Sequence, residues 1–370
     1  MSAQQEPVRF GFVIHPVYTR QLLGHPMLRL VGRVLADGAL ERVAALLPSI
    51  VAGEVRGVRS PLGPTAHGYL YGLPVTGRLM LARPPQWTYR KLAAIARWAE
   101  RMGCRILGLG AYTSVVGDAG LTLSRQSPIP VTSGNSYTVA AAAETLRLVS
   151  RKAGLEPGSE RLAVIGATGS IGSVLSRLMA REVEEIVLCA PREEKLRGLA
   201  ARIGEESPGR RVTFTTSIEE ALRGARLVIT ATSAVDPVVR VEWLSRGAVV
   251  LDIAQPPDIS PEGAEARRDV VVVQSGEILL PSGELTFDIG LPPGQVFACL
   301  AETIVLALEG RFESYTVGRD IALERVEEIW QMATRHGFRL APERSFGEEV
   351  SPQRFAHLRE INAGVRSASS

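Results

Sequence analysis

The stretch LAVIGATGSIGS, from Leu162 to Ser173, carries the clearest structural signal in this sequence. A short apolar run enters three glycines spaced three residues apart, and apolar residues at helical spacing follow. This order predicts a strand, a tight turn and a helix, which is the context that a dinucleotide-binding turn requires. Gly166 can take the turn without a Cβ clash, Gly169 lets the backbone approach a pyrophosphate, and Gly172 lets the helix pack against the strand.

The start of the predicted helix is expected to face the cofactor, because its first N–H groups have no partner within the helix. Thr232 and Ser233 follow a later apolar strand, predicted from Leu227 to Ala231, and are expected against the ribose and nicotinamide. A plain strand–helix turn is the alternative, since glycine also marks ordinary turns. The residues expected to bind the dinucleotide at the turn are Gly166, Thr168, Gly169, Ser170, Ile171 and Gly172.

The end of the second strand of this domain, predicted from Ile186 to Ala190, indicates which cofactor is used. Many NAD-binding folds carry Asp or Glu there to bind the ribose 2′-OH, whereas this chain continues Ala190-Pro191-Arg192. An arginine suits a 2′-phosphate, so we predict NADPH rather than NADH, with Arg192 as its ligand. A solvent-exposed arginine without a ligand is the alternative.

Near-continuous apolar runs predict a parallel sheet that is covered on both faces. In the glycine-rich domain they are Val212–Thr215, Leu227–Ala231, Val249–Ile253 and Val270–Val273. They predict an α/β protein: a Rossmann-type doubly wound parallel sheet with a second α/β domain and C-terminal helices. The expected domains are residues 1–153 for an N-terminal α/β substrate domain, 154–291 for NADP(H) binding, and 292–370 for a C-terminal helical segment that completes the active site.

The N-terminal part of the chain also alternates between strand and helix patterns. A polar turn, Gly110–Ser114, follows one of its strands, and such turns bind ligands in α/β sheets. Gly134 and Asn135 precede an Ala-rich helix, and are expected either to cap it or to form a second wall of the cofactor cleft. The expected elements are strands at Arg9–Ile14, Val51–Val58, His67–Leu73 and Cys104–Leu109, a helix at Tyr89–Met102, and helical spacing from Met27 to Leu47.

Cys299 differs from the other cysteines in its neighbours. It lies in a helix predicted from Gln295 to Glu309, after the helix-breaking Pro292-Pro293-Gly294. Polar Gln295 and Glu302 lie on the same predicted helical face as Cys299. A helix N-terminus lowers the pKa of a thiol, but this effect fades by about the fifth residue, and Glu302 acts in the opposite direction. Cys299 is a candidate nucleophile, with Gln295 and Glu302 beside it in a catalytic site. A small buried structural cysteine is the alternative.

Composition argues against several classes of protein. The formal net charge of +3 over 370 residues does not indicate a nucleic-acid-binding protein. Cys104 and Cys189 lie in predicted apolar strands, and the three cysteines show no paired spacing, so we expect no disulfide framework and a cytoplasmic protein. Histidines and cysteines are not spaced as metal ligands. Met1 to Pro7 has no apolar signal core, and no apolar run reaches transmembrane length.

Several stretches resemble the aldehyde-forming long-chain acyl-(acyl carrier protein) reductases of bacterial alkane biosynthesis. They are LGLGAYTS at Leu107–Ser114, TSGNSYT at Thr132–Thr138, AVIGATGSIGS at Ala163–Ser173, QVFACLAE at Gln295–Glu302, EGR at Glu309–Arg311 and RHGF at Arg335–Phe338. Weaker similarity lies at Phe10–Pro16 and His67–Pro84. The Cys299 helix and the His336-Gly337-Phe338 ending are the most specific parts of this resemblance.

The resemblance implies an enzyme that takes an acyl group from acyl carrier protein, or from coenzyme A, onto Cys299, the cysteine of the family's Phe-Ala-Cys segment. NADPH then reduces the thioester, and a fatty aldehyde leaves. It also implies a second partner that consumes the aldehyde, and a Mg²⁺ dependence for which no ligands can be assigned. Because acyl carrier proteins are acidic, we expect an arginine patch near the acyl entrance.

Two other functions fit the cofactor domain. A shikimate- or hydroxy-acid-type dehydrogenase shares the architecture but commonly uses a Lys–Asp or His acid–base pair, whereas Lys91, Lys152 and Lys195 stand beside no suitable Asp. A non-catalytic NADP(H)-binding sensor needs the cofactor cleft but no reactive thiol. For a reductase, backbone N–H groups near Gly134–Ser136 or Thr232–Ala234 are the candidate oxyanion donors.

Overall fold

The chain forms two compact units, and the computed structural model describes residues 6–24, 28 and 35–369. The first unit contains Met1–Tyr137 and Ile278–Arg339, and the second contains Thr138–Glu277 and Leu340–Ser370. These boundaries differ from the expected ones at 153/154 and 291/292. Residues 292–339 fold with the N-terminal residues, and the rest of the expected C-terminal segment folds with the second unit.

Strands and helices alternate along both units. In chain order the strands are β1 (Val8–Ile14), β2 (Ile50–Arg59), β3 (Thr65–Gly72), β4 (Leu107–Leu109), β5 (Val131–Thr132), β6 (Arg161–Ile165), β7 (Glu185–Cys189), β8 (Arg211–Thr215), β9 (Leu227–Thr230), β10 (Val249–Asp252), β11 (Val271–Gln274), β12 (Glu277–Leu279), β13 (Glu284–Leu285), β14 (Gln295–Phe297), β15 (Arg339–Leu340), β16 (Arg344–Ser345) and β17 (Glu348–Glu349). The α-helices are α1 (Asp37–Ala44), α2 (Gly77–Ala82), α3 (Pro85–Arg101), α4 (Leu121–Gln126), α5 (Asn135–Lys152), α6 (Ser170–Met179), α7 (Glu193–Glu206), α8 (Ile218–Leu222), α9 (Pro261–Ala266), α10 (Ala298–Leu308), α11 (Leu323–Arg335) and α12 (Pro352–Ser369).

Within the span of helical spacing from Met27 to Leu47, the structure describes helix α1. Residues 27 and 29–34 of that span lie outside the described residues. Helix α3 starts at Pro85, four residues before the expected Tyr89, because a proline at the first helical position needs no N–H partner. Within the part of the chain that the structure describes, no helix is both long enough and apolar enough to span a membrane.

The first unit is built on a six-stranded sheet with the order β13-β2-β3-β1-β4-β5. Strands β3, β1, β4 and β5 run parallel, with Val13 beside both Tyr71 and Leu109, and Gly108 beside Thr132. An apolar core packs helix α3 against this sheet. Because parallel strands end at the same edge of a sheet, the segments that follow β1, β4 and β5 lie along one edge.

Helix α10 also belongs to the first unit, where it packs against β1, β3 and β4. Nearly all of its residues are buried, as its apolar sequence predicts. The helix begins at Ala298 and not at the expected Gln295, because Gln295–Phe297 is extended as strand β14. Cys299 is therefore the second residue of the helix and not the fifth.

The second unit contains a parallel sheet with the order β11-β10-β9-β6-β7-β8, and the short antiparallel strands β16 and β17 extend its β11 edge. Numbered from β6, the parallel strands follow the order 3-2-1-4-5-6 of the dinucleotide-binding fold. Ile165, the last residue of β6, lies between Cys189 of β7 and Thr230 of β9. The predicted Rossmann-type sheet with a second α/β unit is confirmed.

Candidate active site

Cys299 lies where loops from the edge of the first sheet meet the start of α10. The backbone N–H groups of Leu300, in the first turn of α10, and of Ala111, which follows β4, face its Sγ. The residue is partly accessible, whereas Cys104 and Cys189 are buried. Cys299 is thus the one cysteine of the three that is not fully buried.

The surroundings of Cys299 keep its proton on the sulfur. Burial raises the pKa of the Cys299 thiol to about 12, and the nearby Glu302 carboxyl group acts in the same direction. The N–H groups of Leu300 and Ala111 oppose this shift because they stabilise a thiolate. Burial also raises the pKa values of Cys104 and Cys189, each to about 11, so the pKa does not separate the three thiols.

The loop that carries Ala111 is held in an unusual conformation. Ala111 has a φ of +45°, a left-handed value that costs a non-glycine residue about 1–2 kcal/mol. The next N–H, that of Tyr112, donates to His15 Nε2 at 3.0 Å, and His15 Nδ1 lies 3.0 Å from the carbonyl oxygen of Pro16. This places the His15 proton on Nδ1, and burial lowers the pKa of His15 to about 4, so the ring is neutral. His15 therefore fixes the loop that presents the Ala111 N–H to the sulfur.

Gly134 touches Cys299 directly. Its φ is +75°, and a Cβ at this position would lie 2.3 Å from both the Cα and the Cβ of Cys299. Only glycine allows this approach. Asn135 follows as a buried residue, the first of α5. The expected cofactor contacts of Gly134 and Asn135 stay predictions, but the structure places Gly134 against the cysteine.

Glu302 is fully buried and holds the segment after β5 against α10. Its carboxylate accepts hydrogen bonds from the Thr132 hydroxyl and from the N–H of Tyr137, at 2.9 Å. The Thr316 hydroxyl and the Gly134 N–H also face it. Burial raises the pKa of Glu302, and these donors act against that rise. We conclude that Glu302 positions the segment that contacts Cys299.

The surroundings of Glu302 and Gln295 change two expectations about the site. The Gly134 N–H, an expected oxyanion donor, faces the Glu302 carboxylate instead. Gln295 does not share a helical face with Cys299, because it lies in strand β14. Its side chain is buried, and its Oε1 has no hydrogen-bond partner among the described residues. A buried amide oxygen of this kind is available to a donor from a bound ligand.

In the second unit, the glycines of the LAVIGATGSIGS stretch have the geometry that the motif needs. Gly166 has a φ of +83°, and a Cβ there would lie 2.6 Å from the Ala231 carbonyl oxygen. A Cβ on Gly172 would lie 2.3 Å from the Gly166 carbonyl oxygen, so the helix packs against the turn more closely than any residue with a side chain would allow. Gly169 is the N-cap of α6, and Ser170 and Ile171 form its first turn after Thr168. These residues fit a pyrophosphate at the helix start.

Arg192 is exposed and forms the N-cap of α7, directly after the carboxyl end of β7. No carboxylate lies between Cys189 and Arg192, so nothing in that segment repels a 2′-phosphate. Glu193 and Glu194 follow within the first turn of the helix. This placement fits the predicted role of Arg192, which stays a prediction.

Two aspartates that the sequence reasoning missed hold the segment after β9. The Thr232 N–H and hydroxyl both donate to Asp258, the former at 3.1 Å. Asp252 accepts from the Thr230 hydroxyl at 2.8 Å and from three backbone N–H groups. Burial and the neighbouring Asp258 raise the pKa of Asp252 to about 7. The Thr232 N–H is thus not free as an oxyanion donor, and the cofactor contacts of Thr232 and Ser233 stay predictions.

One family model and several individual proteins are similar to this chain. The shikimate/quinate 5-dehydrogenase family model matches residues 147–274, the core of the second unit. The chain is 32% identical over 362 residues to aminotransferase PigE of Serratia sp., covering 95% of this chain and 42% of PigE. It is 26% identical over 319 residues to the long-chain acyl-[acyl-carrier-protein] reductase of Synechococcus elongatus, covering 82% of this chain and 90% of the reductase. The quinate dehydrogenase of Corynebacterium glutamicum, solved with NAD, aligns with a TM-score of 0.40 at 12% identity, over 88% of this chain and 99% of that one.

The second unit is a NAD(P)-binding domain of the dehydrogenase type, and the chain is similar to oxidoreductases. Over most of its length it is similar to an acyl-[acyl-carrier-protein] reductase. The chain spans about two fifths of the length of PigE. The similarity to PigE therefore concerns less than half of that protein.

Proposed function

We propose that this protein reduces a long-chain fatty acyl thioester to a fatty aldehyde with NADPH, through an acyl group held on Cys299. The observation that supports this most is the partly buried Cys299 at the start of α10, with the N–H groups of Ala111 and Leu300 facing its sulfur. A cofactor-binding sensor has no need of such a cysteine. The proposed acyl donor is acyl carrier protein, and an enzyme that consumes aldehydes is the proposed second partner.

The reaction divides into two balanced steps. In the first, Cys299 loses its proton and attacks the thioester carbonyl, the bond to the carrier sulfur breaks, and the carrier thiol takes up a proton. In the second, the acyl–Cys299 thioester gains two electrons and two hydrogens and gives an aldehyde and the free cysteine thiol. NADPH, when bound, supplies the two electrons and one of the hydrogens, and solvent supplies the other.

The residues around Cys299 serve the first step. Because the resting thiol is protonated, its proton must leave when the substrate arrives, and the N–H groups of Ala111 and Leu300 then stabilise the thiolate. His15 holds the Ala111 loop, and Glu302 holds Gly134 against the cysteine. Gln295 supplies a buried acceptor without a partner among the described residues. His15 and Glu302 thus position the nucleophile and its surroundings.

The second unit fits the cofactor by its glycine contacts and by Gly169 at the start of α6. Gly166, Gly169 and the first turn of α6 would hold the pyrophosphate, and Arg192 the 2′-phosphate. The Mg²⁺ that the family resemblance implies finds no comparable fit: within the described ranges, no cluster of three or more His, Cys, Asp or Glu residues could hold a metal ion. We derive no step through Mg²⁺.

An aminotransferase reaction, named for PigE, has less support here. Such chemistry uses a lysine that forms a Schiff base. Lys91 donates to the Ala45 carbonyl oxygen at 2.8 Å, and Lys152 pairs with Glu343 at 2.6 Å. Lys195 is exposed on the first turn of α7. The described contacts of Lys91 and Lys152 are thus with residues outside the candidate site.

The proposed function predicts that the purified protein will oxidise NADPH only when an acyl thioester is added, and will release one aldehyde per NADPH consumed. A panel of acyl-carrier-protein, acyl-CoA and acyl-N-acetylcysteamine substrates, with aldehyde measured by gas chromatography, tests this. Shikimate, quinate and short 2-hydroxy acids with NADP⁺ are the comparison set. Turnover of that set without any aldehyde from the thioesters would contradict the proposal.

The predicted cofactor choice depends on Arg192. Replacing Arg192 by Ala should weaken use of NADPH by about ten- to a hundredfold and leave NADH use nearly unchanged, because only NADPH carries the 2′-phosphate. The ratio of kcat/KM for the two cofactors is the measurement, and Arg197→Ala, one turn further along α7, is the matched control. Equal losses with both cofactors would show that Arg192 does not bind the phosphate.

A further inference from the structure

Helices α2 and α3 carry a basic face whose arginines have no acidic partner. The exposed cations on it are Arg78, Arg83, Arg90, Arg97 and Arg101, and Lys91 is half-buried. The one carboxylate on these two helices is that of Glu100. None of the six cations forms an ion pair with a carboxylate among the described residues. We call this surface the α2–α3 face.

Some arginines elsewhere in the described chain pair with carboxylates. Arg177 pairs with Glu206 at 2.7 Å, Arg226 with Glu160 at 2.7 Å, and Arg335 with Glu309 at 2.6 Å. On the α2–α3 face, by contrast, Lys91 donates to a backbone carbonyl and both Arg83 and Lys91 stand over the Trp87 ring. No carboxylate among the described residues pairs with the cations of this face, so its positive charges cluster without a neutralising partner.

The spacing along α3 makes the face continuous. Arg90, Arg97 and Arg101 lie seven and four residues apart, so they share one side of the helix. The opposite side, which includes Leu92 and Ile95, is buried in the core of the first unit. The neighbouring helices α1 and α4 add two further exposed arginines, Arg42 and Arg125.

The same two helices hold the loop beside Cys299. Gly77, the first residue of α2, packs so closely on the Tyr112 ring that a Cβ there would lie 2.3 Å from it. Tyr89 of α3 donates from its hydroxyl to Asp118 at 2.7 Å and so ties α3 to the end of that loop. Tyr112 follows Ala111, whose N–H faces the Cys299 sulfur. The basic face thus continues from the elements that frame the nucleophile.

We propose that the α2–α3 face docks the acyl carrier protein, whose surface is acidic, and so delivers the thioester to Cys299; this rests on the proposed function. Exposed charges at the rim of an interface act mainly on the association rate, and they make it depend on salt. The face thus selects the carrier protein, whereas the reaction of a small neutral thioester does not depend on these charges.

The test reverses three charges on this face, in the variant Arg90→Glu/Arg97→Glu/Arg101→Glu. The control variant, Arg223→Glu/Arg240→Glu/Arg246→Glu, makes the same change in net charge at exposed arginines of the second unit. We expect kcat/KM for acyl carrier protein to fall at least about tenfold in the first variant only, because steering charges change association rates by about 10- to 1000-fold. With an acyl-N-acetylcysteamine thioester, both variants should match the unaltered protein within about twofold, and the salt dependence for the carrier should flatten.

Binding of fluorescent carrier protein, measured without NADPH, separates this proposal from the proposed function. If no thioester is reduced but the carrier still binds and the first variant loses that binding, the function fails and the docking face stands. Unchanged carrier binding in the first variant, or equal losses with the carrier and the small thioester, would overturn the docking face. Tighter binding of a 20-base-pair DNA than of the carrier at the same salt would overturn it as well.

Discussion

Cys299→Ser should abolish aldehyde formation while the protein still folds and binds NADPH. Serine has nearly the same shape as cysteine, but its hydroxyl is far less acidic than a thiol and a much weaker nucleophile. We expect kcat to fall on the order of 10³-fold or more, as when other enzymes lose their nucleophile. Mixing the unaltered protein with acyl thioester and no NADPH should leave an acyl adduct, which peptide mass analysis should place on Cys299. Adding NADPH should discharge it as aldehyde.

Cys104→Ser and Cys189→Ser are the matched controls. Both thiols are buried, so these changes should lower the melting temperature and leave kcat nearly intact. NADPH binding, followed by cofactor fluorescence, should be the same in Cys299→Ser as in the unaltered protein. An active Cys299→Ser protein, or an adduct that maps to Cys104 or Cys189, would refute the proposed nucleophile and leave the assignment of the second unit untouched.

Gly134→Ala should have the second largest effect, on both activity and stability. The new Cβ would lie 2.3 Å from the Cα and Cβ of Cys299, and the residue would keep a φ of +75°. A left-handed alanine and an overpacked contact together cost about 2–5 kcal/mol of unfolding free energy. The cheapest relief moves Cys299 or the segment after β5, so we expect a loss of aldehyde formation even in molecules that stay folded. Thermal unfolding and the rate of acyl-adduct formation measure the two effects.

Gly290→Ala is the control for this substitution. Gly290 belongs to the same unit, has a φ of +83°, and has no atom within 4 Å of the Cβ position. It should therefore lose about 1–2 kcal/mol of stability, from the backbone conformation alone, and keep its activity. If the two variants lose equal stability and both stay active, the close contact between Gly134 and Cys299 does not contribute to aldehyde formation.

The part of this protein that sequence reasoning predicts best is the glycine-rich turn of the second unit. Its strand, glycines and helix are neighbours in the chain, so local patterning specifies the geometry directly. The contact of Gly172 with the Gly166 carbonyl, for example, joins residues only six positions apart. The parallel strands were also predictable, because strands covered on both faces leave a near-continuous apolar signature.

The start of α10 shows where local patterning fails. Helical spacing extends back to Gln295, yet the residues up to Phe297 pair as strand β14. That pairing is a tertiary contact, which overrides the weak helical preference of three residues. The error matters because it moves Cys299 from the fifth to the second helical position, where backbone N–H groups are free to face its sulfur.

The sequence by itself determined the nucleotide-binding unit, the candidate cysteine and the absence of a carboxylate before Arg192. Only the tertiary structure decided what surrounds Cys299. The Thr132 hydroxyl reaches Glu302 across 170 positions of the chain, and the Tyr112 N–H reaches His15 across 97. Contacts over such separations form when parallel strands bring their carboxyl ends to one edge of a sheet. Hydrophobic periodicity along the sequence predicts the strands but does not predict which residues meet at that edge.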